Sequence, residues 1–136
     1  MAAATSRPEV IGVAGAGTMG AGIAQLACLA GAQTLLHDPI PEALVRGLEQ
    51  IKGHLERGAA RGRWSTEDAE AAAARLNPAE RLEDLAPCGL VIEAAPERLE
   101  LKQELFAKLS DGIVSDTCVL ATNTSSLLVT GVASAA

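Results

Sequence analysis

The stretch VIGVAGAGTMG, residues 10–20, decides the fold of this 136-residue chain. Residues 10–14 form a short apolar run typical of a buried strand. Three glycines follow, at positions 15, 17 and 20. If the residues from there to Gly31 form a helix, nearly every side of that helix is apolar. This pattern predicts a buried helix from Thr18 or Met19 to about Ala30, ended by Gly31. The chain therefore begins as a strand, a glycine-rich turn and a helix.

The glycines have the spacing G-x-G-x-x-G in the strand-to-helix context that this motif requires. Gly15 permits a tight turn, Gly17 lets the backbone approach a pyrophosphate, and Gly20 lets helix and strand pack closely. Free N–H groups at the start of the helix suit phosphates. We interpret Met19 as a core residue beneath the loop. The loop is assigned as a whole to a dinucleotide site: Gly15, Ala16, Gly17, Thr18, Met19 and Gly20.

Asp38 follows the second short strand, predicted at residues 34–36, and lies 18 residues after Gly20. An acid at this place binds ribose hydroxyls and repels the 2′-phosphate of NADP. The next residues are Pro39 and Ile40 rather than an arginine, so we expect NAD as the cofactor. The alternative is a turn or capping aspartate. His37 is interpreted as a strand-end residue and not as a ligand.

The rest of the chain continues the alternation of helices and strands. A long helix is predicted to begin at Pro41, with an apolar stripe at Leu44, Leu48, Ile51 and Leu55. A second is predicted at 65–76, capped by Ser65 and closed by Asn77-Pro78. A third is predicted to begin at Pro96, with Leu101, Leu105 and Leu109 facing inward. Further strands are expected at 89–92 and 118–121. The pattern predicts an α/β protein with a parallel sheet, with residues 1–8 flexible and residues 9–136 as one domain.

Composition narrows the possible partners. The net charge is −6, and the chain has one Trp, one Phe and no Tyr, which argues against nucleic-acid binding. Cys28, Cys88 and Cys118 lack metal-ligand spacing, so we expect reduced thiols, no metal and a cytoplasmic protein. Residues 10–37 carry no Asp, Glu, Lys or Arg, but their six glycines favour a buried unit over a membrane span.

Two charged clusters leave alternatives open. Lys52, Arg57, Arg61 and Arg63 lie within twelve residues, with His54 on the same flank of the long helix. This group is either a binding surface for a polyphosphate ligand or a solvated helix surface. Glu93, Glu97 and Glu100 follow the third predicted strand, with Lys102 close by. They indicate either a structural ion pair or a polar rim that holds a sugar hydroxyl.

Four stretches taken together resemble the NAD-binding domain of the 3-hydroxyacyl-CoA dehydrogenases. They are GAGTMGAGIAQ at 15–25, HD at 37–38, VIEAAPERLELKQELF at 91–106 and ATNTSSL at 121–127. The likeness runs from about Pro8 to the last residue. It implies a Rossmann-type, doubly wound parallel sheet, and the NAD-dependent oxidation of (3S)-3-hydroxyacyl-CoA to 3-ketoacyl-CoA.

The resemblance also implies roles for single residues. Ser125 corresponds to the family's catalytic serine, which binds the 3-oxygen of the substrate, and Asn123 lies beside the nicotinamide. Glu97 and Lys102 correspond to positions near the nicotinamide and the CoA substrate. The basic helix corresponds to the region that grips CoA phosphates, with His54 and Arg61 as the candidate contacts.

The family's catalytic His, the Glu that orients it and a helical C-terminal domain belong after Ser125, and these 136 residues contain none of them. We therefore expect a sheet that is incomplete at its C-terminal side and a chain that binds NAD without turnover. The longer enzyme is expected to be a homo-oligomer. The alternatives are another β-hydroxyacid dehydrogenase and a non-catalytic NAD-binding protein.

Overall fold

The computed structural model of the protein describes residues 9–96 and 98–122. Within these ranges the strands are Val10–Ala14 (β1), Gln33–His37 (β2), Leu76–Ala79 (β3), Leu90–Glu93 (β4) and Val119–Thr122 (β5). The helices are Thr18–Leu29 (α1), Pro41–Ala60 (α2), Thr66–Ala74 (α3) and Leu99–Lys108 (α4). The uncharged stretch 10–37 thus forms β1, α1 and β2. Among the described helices, none combines the length and the apolarity that a membrane crossing requires.

The strands form one parallel sheet in the order β3-β2-β1-β4-β5. The chain winds outward from β1 through β2 to β3, and then crosses back to β4 and β5 on the other side. Val13 at the centre lies opposite Leu36 of β2 and Ile92 of β4. This is the Rossmann topology, in which the reversal of winding opens a crevice at the carboxyl ends of the strands. The predicted doubly wound parallel fold is confirmed.

Each face of the sheet is covered by an apolar layer. On one face, Val13 and Leu36 pack with the alanines of α1 and with Ile51 and Leu55 of α2. The stripe predicted for α2 is confirmed, with Leu48 partly buried beside it. On the other face, Val91 packs with a second cluster that contains Leu85, Cys88 and Leu109. Two covered faces explain why the central strands are apolar without alternation.

Several predicted helix boundaries are confirmed. Pro41 occupies the first turn of α2, where its missing N–H costs nothing. The Ser65 hydroxyl accepts a hydrogen bond of 3.0 Å from the Asp68 N–H and caps α3. Gly31 has a φ of +101° directly after α1, a conformation that a side chain would oppose.

The prediction of a helix over residues 65–76, closed by Asn77-Pro78, was wrong at its end. Helix α3 ends at Ala74, and Leu76–Ala79 forms β3, which was not predicted. Pro78 lies opposite Leu36 of β2. Asn-Pro reads as a turn in sequence, and a proline fits a strand only where no partner needs its N–H. β3 is the edge of the described sheet, so the proline is accommodated there.

The prediction for the last helix was also wrong in part. Helix α4 begins at Leu99, not at Pro96. Leu101 was predicted to point inward but is 39% exposed, whereas Lys102 beside it is fully buried. Leu109 is buried as predicted, and Leu105 is partly buried. The burial of Lys102 requires a partner charge, which Glu93 provides.

Candidate functional site

A cleft of about 1000 Å³ opens at the carboxyl ends of β1, β2 and β4. Its walls are the glycine loop after β1, the segment around Asp38 after β2, and Ala94–Pro96 after β4. The first turn of α2, one side of α4 and the segment after β3 also line it. The cleft therefore lies at the crevice where a doubly wound sheet binds ligands.

The glycine loop is built so that bare backbone faces the cleft. Gly15 has a φ of +118°, and a Cβ there would lie 2.6 Å from the Ala94 carbonyl oxygen. A Cβ at Gly20 would lie 1.7 Å from the carbonyl oxygen of Gly15. A Cβ at Gly17 would meet only open space, although this residue lines the cleft. Gly15 and Gly20 are therefore required by the fold, and Gly17 leaves room for a ligand.

Helix α1 points its N-terminus at the same cleft. No side chain caps the helix at Gly17, and Thr18 and Met19 of its first turn line the cleft. Unpaired N–H groups and the positive end of the helix dipole suit an anionic group. Met19 was predicted to lie in the core, and this was wrong, since its side chain is 61% exposed. Met19 borders the cleft instead.

Asp38 connects the two parts of the site that the sequence singled out. One of its carboxylate oxygens accepts a hydrogen bond of 2.9 Å from the Ala16 N–H in the glycine loop. The other accepts one of 2.9 Å from the Ile40 N–H. A carboxylate has about four acceptor positions, so each oxygen retains capacity for a ligand hydroxyl. The carboxylate is thus held in place at the mouth of the cleft.

His37 has a structural role. It is buried, and its Nδ1 lies 2.9 Å from the Ala79 carbonyl oxygen, to which it must donate because a carbonyl only accepts. The His37 carbonyl in turn accepts a hydrogen bond of 2.8 Å from the Gly15 N–H. These bonds tie β2 to β3 and to the glycine loop, which agrees with the interpretation of His37 as a strand-end residue.

Glu93 and Lys102 form a buried ion pair behind the cleft wall, with Nζ 2.6 Å from Oε2. The same carboxylate accepts hydrogen bonds from the Ala95 N–H and from the Thr122 hydroxyl. Of the two interpretations left open by the sequence, Glu93 fits the structural ion pair. The pair joins the end of β4 to α4 and to the end of β5.

The remaining predicted residues divide into two groups. Glu97, Asn123 and Ser125 lie outside the described residues, so their roles stay predictions. His54 and Arg61 are exposed on α2 and beyond its end, and the His54 Nδ1 lies 3.3 Å from Gln25 Oε1. His54 follows the cleft-lining Ala43 by eleven residues, or about 16 Å along a helix. The structure does not bring either residue to the cleft, and their contact with CoA stays a prediction.

Sequence reasoning missed one part of the cleft, the end of β3. Arg81 and Leu82 line the cleft opposite the glycine loop. The Asp84 carboxylate accepts a hydrogen bond of 3.1 Å from the Arg81 N–H, and this bond, with the guanidinium nearby, lowers the pKa of Asp84. The signal was missed because β3 itself was not recognised.

The three cysteines are free thiols. Burial, with a smaller contribution from the neighbouring Cys118 thiol, raises the pKa of Cys88 to about 12. Burial also raises the pKa of Cys28. Across residues 9–96 and 98–122, no three His, Cys, Asp or Glu side chains come together as a possible metal site.

Comparison with known proteins identifies the family. The family model described as "3-hydroxyacyl-CoA dehydrogenase, NAD binding domain" matches residues 10–136. A 3-hydroxyadipyl-CoA dehydrogenase of Escherichia coli (strain K12) is 44% identical over 125 residues, which are 92% of this chain and 26% of that protein. A 3-hydroxybutyryl-CoA dehydrogenase of Bradyrhizobium diazoefficiens is 39% identical over 125 residues, 92% of this chain and 42% of that protein.

Solved structures give the same result. A 3-hydroxybutyryl-CoA dehydrogenase from Escherichia coli K12 superposes with a TM-score of 0.89 at 42% identity, covering 94% of this chain and 27% of that one. An (S)-3-hydroxybutyryl-CoA dehydrogenase from Ralstonia eutropha gives a TM-score of 0.88 at 32% identity, covering 95% and 45%. The chain spans less than half the length of each of these relatives.

Proposed function

This chain belongs to the family of 3-hydroxyacyl-CoA dehydrogenase NAD-binding domains, and from this membership we propose that residues 9–136 serve an enzyme oxidising (3S)-3-hydroxyacyl-CoA to 3-ketoacyl-CoA. NAD is the cofactor of the family, and the residues of the cleft fit it. The observation that carries the proposal is the hydrogen bond between Asp38 and the Ala16 N–H. It brings the proposed ribose acceptor next to the proposed pyrophosphate loop, and this supports a dinucleotide site.

The cofactor is proposed to cross the carboxyl ends of the strands. Asp38 binds the adenosine ribose at the end of β2, and Gly17 with the start of α1 holds the pyrophosphate. The nicotinamide then points toward Ala94–Pro96 after β4, on the other side of β1. When bound, NAD supplies the acceptor for the hydride that leaves the substrate.

Ser125 is proposed to donate a hydrogen bond to the 3-oxygen of the substrate, with Asn123 and Glu97 beside the nicotinamide. Two observations support this placement. Ser125 lies three residues after Thr122, the last residue of β5. β5 pairs with β4, and the segment after β4 lines the cleft. A hydroxyl here stabilises the negative charge that develops on the oxygen.

Proton transfer from the substrate needs a base. We propose that neither of the two histidines in the 136 residues supplies it. His37 is buried and donates from Nδ1 to Ala79. His54 lies on α2 beside Gln25. We therefore propose that this chain by itself binds NAD without turning over a substrate.

The partner assignments are proposals of the same kind. An acyl-CoA is the substrate, and the basic cluster of α2 (Lys52, Arg57, Arg61, Arg63) with His54 contacts its phosphates. The whole enzyme acts in the cytoplasm as a homo-oligomer. The exposure of the cluster to solvent and its positive charge in an acidic chain support the contact with phosphates.

A fluorescence titration of the purified chain with NADH, followed by acetoacetyl-CoA, tests the function. We expect saturable NADH binding, weaker binding of NADPH, and no loss of NADH absorbance after acetoacetyl-CoA is added. Lack of any NADH binding by the folded chain would refute the proposed cofactor site. Turnover would refute the assignment of both histidines.

A further inference from the structure

Glu93 places a negative charge directly behind the cleft wall. Its side chain is fully buried, and its carboxylate accepts hydrogen bonds from the Ala95 N–H and Lys102 Nζ, both at 2.6 Å, and from the Thr122 hydroxyl. Ala95 lines the cleft, and Lys102, although fully buried, lies within its wall. The carboxylate is therefore held in one position, within a few atoms of the surface that a ligand would touch.

This inference rests on the proposed function, because that function decides which end of the cofactor lies near Glu93. Asp38 at the end of β2 holds the adenosine side, and β4 lies on the opposite side of β1. A cofactor that runs from Asp38 past Gly17 reaches Ala94–Pro96 with its nicotinamide. That segment is the part of the wall which Glu93 anchors.

The two redox states of the cofactor differ in charge at this end. The nicotinamide ring of NAD⁺ carries one positive charge, and the ring of NADH carries none. Lys102 brings a positive charge to the wall, and the Glu93 carboxylate opposes it. Buried charges interact through a lower effective dielectric constant than exposed ones and are screened less by salt. The balance between the two charges therefore affects NAD⁺ and NADH unequally.

We propose that Glu93 determines the preference between oxidised and reduced cofactor, by holding the Lys102 ammonium in place and cancelling its charge at the nicotinamide end of the cleft. A neutral replacement of Glu93 changes the local charge by one unit, and this change does not depend on which other groups contact Lys102. The effect falls on NAD⁺ and spares NADH.

The test is Glu93→Gln, which keeps the shape of the side chain and removes its charge. Dissociation constants for NADH, from its own fluorescence, and for NAD⁺, by competition, are measured in one neutral buffer of low ionic strength. We assume one charge about 10 Å from the nicotinamide and an effective dielectric constant between those of protein and water. The ratio Kd(NAD⁺)/Kd(NADH) should then rise about fivefold in Glu93→Gln.

Three further variants separate charge from loss of structure. Lys102→Met should lower the ratio, because it removes the opposite charge. The double variant Glu93→Gln/Lys102→Met should return the ratio to within about twofold of the wild type. Glu100→Gln removes an exposed charge from the same helix and should leave the ratio unchanged, because solvent screens it.

Trp64 reports whether each variant is folded. Its indole N–H donates to the Leu55 carbonyl at the contact of α2 with the segment before α3. Variants that unfold in dilute buffer are measured in an osmolyte that restores the Trp64 signal. A folded Glu93→Gln chain with an unchanged ratio, or a shift of equal sign in Lys102→Met, would overturn the inference and leave the NAD site intact. A wild-type chain that binds neither cofactor would instead refute the proposed function.

Discussion

The Asp38 carboxylate lies 2.9 Å from the backbone nitrogen of Ala16, so the acid at the end of β2 is fastened to the glycine loop at the end of β1. The two elements are 22 residues apart in sequence. Their connection means that a change at Asp38 affects both the ribose acceptor and the loop that holds the pyrophosphate.

Asp38→Ala should weaken NADH binding by about tenfold to a hundredfold, since hydrogen bonds to a charged group contribute about 1.5–3 kcal/mol. Discrimination against NADPH should also relax, because the repulsion of the 2′-phosphate is lost. Titrations with both cofactors measure this. Asp116→Ala removes an exposed acid from a turn near β5 and serves as the control. Unchanged affinity and selectivity in Asp38→Ala would mean that Asp38 is only a turn residue.

Three glycine variants should separate the fold from the ligand. Gly20→Ala should lower the free energy of unfolding by about 2 kcal/mol or more, because its Cβ would overlap the Gly15 carbonyl. Gly17→Ala has open space and should keep its stability while losing NADH affinity. Gly22→Ala, which also meets nothing within 4 Å inside α1, should leave affinity unchanged and slightly raise stability.

Thermal unfolding followed by Trp64 fluorescence, together with NADH titration, measures all three variants. If Gly17→Ala bound NADH as tightly as the wild type, the pyrophosphate would not approach the loop at this residue. If Gly20→Ala were as stable as Gly22→Ala, the close contact of α1 with the loop would be wrong.

Ser125→Ala should lower kcat by about a hundredfold or more in an active protein that contains this chain, with NADH affinity nearly unchanged. The hydroxyl is expected to act on the substrate oxygen and not on the cofactor. Ser126→Ala, the neighbouring hydroxyl, is the matched control and should be mild, since we interpret Ser126 as part of a polar turn. Steady-state kinetics and NADH titration of both variants decide, and a reversed order would contradict the assignment.

The stability of the chain should fall in alkaline solution through Cys88. Its pKa is about 12 in the folded chain, whereas that of an ordinary thiol is 9.0, so the unfolded chain releases the proton first. Stability from this thiol is complete below about pH 9 and is lost between about pH 9 and 12, by up to about 1.4 kcal/mol per pH unit. Denaturant unfolding at several pH values measures the slope.

Cys88→Ala should be less stable at neutral pH because it leaves a cavity, yet its stability should decline less steeply above pH 9. Cys118→Ala is the comparison: this thiol is only partly buried and contributes less than burial does to the pKa of Cys88, so its removal should change the slope less. Parallel pH slopes for the wild type and Cys88→Ala would show that the buried thiol does not titrate as inferred.

The parts of the fold that were predicted correctly depend on local chemistry. The order of β1, the glycine loop and α1 follows from residues 10–31, because Gly15 and Gly31 take a positive φ there and Gly20 lies against the Gly15 carbonyl. Asp38 was found for the same reason, since its place is set by the end of a short apolar strand. Ser65 as the N-cap of α3 is equally local.

The parts that were missed depend on partners elsewhere in the chain. β3 exists because β2, some forty residues earlier, offers it a ladder, and its own sequence of Leu, Asn, Pro and Ala indicates a turn. Lys102 is buried because the Glu93 carboxylate pairs with its ammonium group. The helical pattern alone predicted that Leu101 would be buried instead. Met19 is exposed at the start of α1, where it borders the cleft.

Pro78 also limits how this sheet can associate with other chains. The Arg75 carbonyl accepts a hydrogen bond from the Thr34 N–H of β2, so alternation along the strand turns the Pro78 nitrogen to the outer side. A strand approaching that edge from another molecule would find no donor at the middle of a four-residue ladder. The β3 edge of the described sheet is therefore a poor template for fibril-like extension by another chain.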